Sequence, residues 1–155
     1  MKQRFLMVFA MFIGMLSATA CSQEKGNEPE GDKLIVANIK YEVSIKASEK
    51  VKINFIVTKG FEPNIYQDGK LVSQGNYDSD DIETDNIQTT FTHKGQALVF
   101  GIIVNGFYDV TSPDATVLLH VKTYQDDKLI HDFSKERKVG DGFNEQFTHY
   151  AKPLD

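Results

Sequence analysis

The sequence predicts an all-β protein, an immunoglobulin-like antiparallel β-sandwich of seven to nine strands, carried behind an export leader and a tether. Three observations predict it. From Leu34 onward, apolar residues recur with a period of two instead of 3.6. Turn-forming Gly, Asp, Asn and Pro residues punctuate that pattern at short intervals. No segment shows the apolar stripe of an amphipathic helix.

The strands follow in order. Ile39, Tyr41, Val43 and Ile45 alternate with Lys40, Glu42, Ser44 and Lys46, so one face of a first strand is apolar. Val51, Ile53, Phe55 and Val57 repeat the pattern in a second. Ile65-Tyr66-Gln67 and Lys70-Leu71-Val72 flank Asp68-Gly69, a two-residue hairpin signal in which both central positions need φ > 0. Ile87 to Thr92 is Thr-rich and β-prone. Ala97 to Val104 is apolar on both faces, which fits a central strand. Ala115 to Tyr124 and Lys128 to Lys135 form a second hairpin around Gln125-Asp126-Asp127, and Phe143 to Tyr150 is a last strand.

Residues 1–20 have the layout of a secretory signal peptide. Lys2 and Arg4 precede an apolar run from Phe5 to Leu16, followed by the small residues Ser17, Ala18, Thr19 and Ala20. The run is shorter than the roughly 20 apolar residues that cross about 30 Å of hydrocarbon. Directly after it stands Cys21, the only cysteine. This placement resembles the lipobox of bacterial lipoproteins, with cleavage between Ala20 and Cys21 and acylation of the new terminus. Each buried methylene contributes about 0.8 kcal/mol, so two or more chains hold a protein on a membrane effectively for good. Residues 21–33 then read as the lipidated Cys and a flexible acidic tether, and 34–155 as the β-sandwich domain. Acidic residues close behind the Cys resemble the export signals of Bacteroidetes lipoproteins. The expected address is the outer membrane, lipid-anchored, facing the periplasm or the cell surface.

Removing Lys2 and Arg4 with the leader takes the formal net charge from −5 to −7. An acidic domain without a basic stripe argues against nucleic acid as a partner. No Cys/His cluster calls for a cofactor. The densest polar run, Asp78 to Asp85, offers Asp78, Asp80, Asp81 and Glu83 as a calcium candidate, since Ca²⁺ takes six to eight oxygens. The EF-hand pattern fails there, because Asp81 stands where Gly is required and Ile87 where Glu is. His93, His120, His131 and His149 lack zinc-motif spacing. His120 and His131 share a face if the second hairpin turns in two residues. A three-residue turn separates them and gathers Leu129 and Phe133 with Val117, Leu119 and Val121, so burial favours the three-residue turn. No nucleophile elbow is present. Phe107 and Tyr108, just after Asn105-Gly106, are the aromatic pair best placed for ligand contact.

The order of segments, with "IKYEVSIKASEKVKINFIV" first, "TTFTHKGQALVFGIIV" in the middle and "ATVLLHVKTYQDDKLIHDFSKE" leading into "GFNEQFTHYAKP", resembles the MmpS family. That resemblance, over Ile39 to Pro153, implies an immunoglobulin-like domain associated with a membrane. The family's Pro-Trp step and paired cysteines are absent here, since the chain has no Trp and one Cys. The resemblance therefore brings no transporter partnership with it. The expected role is a lipid-anchored binding or accessory module for an envelope protein or glycan, with no cofactor and no catalytic residue assigned. The alternatives are a hydrolase using carboxylates such as Asp80, Glu83 or Asp109, and an assembly protein that lends an edge strand to a partner.

Overall fold

The computed structural model describes residues 35–61, 64–107, 114–138, 140 and 142–154. They belong to one compact unit, Asp32–Asp155. Among the described residues its elements of more than one residue are strands: β1 (Ile35–Phe61), β2 (Ile65–Gln67), β3 (Lys70–Ser73), β4 (Tyr77–Asp78), β5 (Ile82–Phe107), β6 (Thr116–Gln125), β7 (Lys128–Lys138) and β8 (Phe143–Tyr150). The all-β fold is as predicted, and eight elements fall within the expected range.

Two of the predicted strand pairs are fused. Ile39–Ile45 and Val51–Val57 are halves of β1, and Ile87–Thr92 and Ala97–Val104 are halves of β5. The two long elements run antiparallel, because Ile39 lies opposite His93 while Ile45 lies opposite Ile87. Farther along, Asn54 lies opposite Asn105 and Gly60 opposite Val99. Around the exposed Lys46, Ser48, Glu49 and Lys50, β1 changes its pairing, so each half belongs to a different layer.

The first layer has the order β3-β2-β5-β1-β6-β7, built on the first halves of β1 and β5. In the second layer, β1 pairs with β4 and with β5, and β5 pairs with β8. The period-two pattern aims Ile39, Tyr41, Val43, Ile45, Leu119 and Val121 at the opposing Phe55, Val57, Phe100, Ile102 and Val104, all buried. Rings meet across the interior: Phe55 with Phe91 at 5.3 Å between centroids, Tyr41 with Phe100 at 5.6 Å, and Phe133 with Phe147 at 5.1 Å. These contacts make the two layers a sandwich, with each fully buried Ile or Phe side chain contributing about 1.5–3 kcal/mol.

The first hairpin turns as its sequence predicts, with φ of +48° at Asp68 and +79° at Gly69. The second departs from expectation. Its turn has two residues, not three, with Asp126 at φ +49° and Asp127 at +65°. No glycine is present to relieve that geometry. Instead Asn38 clasps the turn, its N–H donating to Asp126 Oδ1 and its C=O accepting from the Asp126 N–H, both at 2.8 Å. A bulge at Ile130 then restores the phase, because Tyr124 lies opposite Leu129 and Thr123 opposite His131. Phe133 therefore sits opposite Val121 and joins the core, as expected. Leu129 does not: it lies before the bulge and is 49% exposed.

Candidate functional site

The outer face of the first layer is concave between the β2–β3 turn and β6, forming a groove of about 370 Å³. Its floor comes from outward-facing positions of central strands. Glu42 lies opposite Thr90 on one side and Lys122 on the other, and Ser44 lies opposite Gln88 and His120. Asp68, at the tip of the β2–β3 turn, forms one wall, and His120 with Lys122 forms the other. Residues 42, 68, 88 and 120 thus meet because strand order brings β5, β1 and β6 side by side.

Both carboxylates of the groove are already engaged. Asp68 accepts from the Thr90 N–H at 2.8 Å, the Thr90 hydroxyl at 3.2 Å and the Thr89 hydroxyl at 3.0 Å. Glu42 accepts from Lys40 Nζ at 2.8 Å and the Tyr124 hydroxyl at 3.0 Å. The Lys40 hydrogen bond holds the Glu42 carboxyl below its ordinary range, with burial opposing and Tyr124 and the charge of Lys122 assisting. The same contact raises Lys40, and Glu42 raises the Tyr124 phenol. Lys40 Nζ also sits 4.4 Å from the centroid of the Tyr124 ring.

Across the groove, His120 Nε2 hydrogen-bonds Asp132 Oδ1 at 2.6 Å. With Ser44 opposite His120, the residue types of a Ser-His-Asp triad fall together. The main-chain N–H groups of β1 and β6 are taken up in sheet pairing on both sides, so no pair of N–H donors faces the Ser44 hydroxyl as an oxyanion hole. Glu42, held ionised, has no proton to donate to a glycosidic leaving group. What the groove does offer is unused hydrogen-bonding capacity. Among the described residues, the Ser44 hydroxyl, the Gln88 amide and the Lys122 ammonium have no hydrogen-bond partner.

Other sequence-level candidates are not gathered at this site. Asp78, Asp80, Asp81 and Glu83 are exposed along β4 and the start of β5, and Asp78 Oδ1 accepts from Asn54 Nδ2 at 3.0 Å. No group of three or more metal-ligating side chains converges among the described residues. Phe107 ends β5 with its main chain opposite Lys52, in the other layer. Tyr108, Asp109, Ala20 and Cys21 lie outside the described residues. The turn and bulge of the second hairpin put His120 on the outer face and leave His131 opposite Thr123, on the other. His93 is buried, with its ring nitrogens 3.3 Å from the carbonyls of Asn64 and Gln96. His149 donates from Nε2 to Gln125 Oε1 at 2.8 Å, and burial, aided by Lys152, lowers its pKa.

No family model matches this chain, and no curated protein does. Solved structures do. A domain of unknown function, DUF4425, from Bacteroides vulgatus is similar with a TM-score of 0.52 at 18% identity, covering 77% of this chain and 99% of that one. A DUF4425 family protein from Bacteroides ovatus gives 0.47 at 15% identity, covering 75% and 98%. The calcium-bound form of a protein from Parabacteroides distasonis gives 0.49 at 16% identity, covering 79% and 98%. The first likeness shows the fold alone. The MmpS resemblance finds no counterpart in these comparisons.

Proposed function

We propose that the chain is an exported lipoprotein, acylated at Cys21 and tethered to the outer membrane, whose groove binds a small polar ligand bearing a carboxylate. One observation carries the ligand reading: a Lys122 ammonium with no hydrogen-bond partner among the described residues, beside a Ser44 hydroxyl and a Gln88 amide that likewise have none. Glu42 is hydrogen-bonded by Lys40 and Tyr124 and also feels the charge of Lys122, and Asp68 accepts from three donors. Lys122 keeps its N–H donors for a ligand anion, and the floor supplies partners for that ligand's hydroxyl or amide groups. Acidic sugars and peptide C-termini of an envelope share that chemistry. The Lys2, Arg4, Phe5–Leu16 and Cys21 layout supports the anchor, and the flexible acidic tether of residues 21–33 supports reach from the membrane.

Titrating the ¹⁵N-labelled mature protein with galacturonate, N-acetylneuraminate, acetyl-D-Ala-D-Ala and uncharged galactose tests the groove. An acidic ligand moves the amides of Ser44, Gln88 and Lys122, and Lys122→Ala weakens it about 10-fold, the worth of one charge-assisted hydrogen bond. Equal binding of galactose, or no effect of the substitution, refutes the reading. Which acid binds separates a sugar from a peptide source. Detergent phase partition and the mass of the first residue test the anchor separately.

A further inference from the structure

We infer that the free edge of β8 accepts an extended, uncharged peptide strand from a partner protein, at the seam where side chains alone bridge the two layers. On the opposite side of the sandwich, β1 and β5 pass from layer to layer. At the seam no described strand does. Among the described residues, the main chain of β8 pairs with β5 alone and that of β7 with β6 alone. Two cavities lie end to end between them. One, of about 380 Å³, is lined by Glu136, Arg137 and Lys138 of β7 and by Phe143, Asn144 and Glu145 of β8. The other, of about 370 Å³, runs on past Ile130 and His131 of β7 and Phe147 and His149 of β8. The slot therefore follows the full length of β8, roughly 27 Å at 3.4 Å per residue.

The main chain of β8 is arranged to pair there. The Tyr41 hydroxyl that donates to the Phe100 carbonyl is also hydrogen-bonded by the main chain of His149, so His149 turns its backbone toward β5. Alternation then points the N–H and C=O groups of Asn144, Gln146, Thr148 and Tyr150 at the open edge. Natural edges are normally defended by charge or a bulge. β7 has both: Lys128, Asp132, Lys135, Glu136, Arg137 and Lys138, with the bulge at Ile130. β8 has neither. Its one charged residue is Glu145, which is held by Arg137.

The lining decides the occupant. The charges of Glu136, Arg137, Lys138 and Glu145 cancel, and the second cavity has no Asp, Glu, Lys or Arg in its lining. A charged strand would lose hydration there without gaining a counter-ion. An uncharged one sets alternate apolar side chains over Phe133 and Phe147 and its hydroxyl-bearing residues outward. β7 overhangs the edge through the Phe133–Phe147 and Arg137–Glu145 contacts. A single extended chain passes under that overhang; a second folded copy, whose own edge is overhung in the same way, does not. This is β-strand addition, at a site separate from the groove.

The probe is a fluorescein-labelled, end-capped octapeptide of alternating Val and Thr, followed by anisotropy against the full mature lipoprotein in detergent. Saturable binding is expected. Thr148→Pro removes an edge donor and weakens it about 10-fold, whereas Thr148→Ala, which keeps the N–H, leaves it unchanged. If Thr148→Pro does not fold, the same peptide N-methylated at alternate residues decides on the unaltered protein, again by a loss of about 10-fold. No binding by the unmodified peptide overturns the inference. So does binding indifferent to both the substitution and N-methylation. Self-association abolished by Thr148→Pro also overturns it, since the occupant is then a second copy.

Discussion

Replacing Tyr41 by Phe tests how the two layers are held together. The ring is fully buried in the first layer and its hydroxyl reaches across to donate to the Phe100 carbonyl of the second, at 2.7 Å. Phe keeps the ring contact with Phe100 but leaves that carbonyl short of a partner, a loss of about 1–3 kcal/mol at pH 7. Burial also raises the Tyr41 pKa far above its usual value, opposed only weakly by the His149 main chain. The sign follows directly. An unfolded tyrosine ionises above about pH 10 while the folded one stays neutral, so the stability from Tyr41 is complete below pH 10 and declines above it. At pH 11 the wild type has lost about 1.4 kcal/mol through this residue, and Tyr41→Phe has lost none of it. Tyr77 and Tyr124, also raised, are common to both proteins and cancel in the difference. Urea unfolding followed by circular dichroism at pH 7 and pH 11 measures both gaps. The gap between the two proteins should shrink by about 1.4 kcal/mol at the higher pH. An equal gap at the two pH values would show that Tyr41 is not the interlayer link described, even if the substitution destabilises.

Three further outcomes follow from the packing. Gly106 is covered by the Phe143 ring, and a Cβ there would lie 2.0 Å from its Cε1; Gly106→Ala should cost about 1–3 kcal/mol, read as a lowered thermal midpoint. The bulged register predicts unequal costs in β7: Phe133→Ala about 2 kcal/mol and Leu129→Ser under about 0.5, measured by urea unfolding. Equal costs would restore the three-residue turn. Because His149 is depressed, its stability contribution is complete above about pH 6.5 and declines as pH falls through the folded value; His149→Gln should flatten stability against pH between about 7 and 5 in thermal melts.

The strands were legible because each is a half-buried ladder whose two faces differ, and a period of two records that difference directly. Asp68-Gly69 was legible because its backbone requirement is local. The second hairpin was not. Asp126 and Asp127 both take positive φ without glycine, and the reason, Asn38, lies 88 residues away in sequence. The bulge at Ile130 likewise cannot be read from a two-letter pattern, because it shifts the phase of β7 without altering its composition. The continuity of β1 through Ser48-Glu49-Lys50 was hidden for a related reason: those residues are exposed and polar like a turn, yet the chain passes extended from one layer to the next.

The acidic run and the groove differ in the same way. Asp78 to Asp85 is dense in sequence, but successive side chains of an extended segment point to opposite faces, and those on one face stand about 7 Å apart. Oxygens that share a cation at 2.3–2.6 Å must lie much closer than that, so density along an edge strand spreads charge over solvent instead of concentrating it. The groove works the other way. Glu42, Asp68, Gln88 and Lys122 are separated by 20 or more residues and none belongs to a motif, yet neighbouring strands lie about 4.8 Å apart, closer than alternate residues on one strand. In an antiparallel sheet, convergence of side chains is a property of strand order, and strand order depends on which residue faces which, the long-range information a single sequence states most weakly.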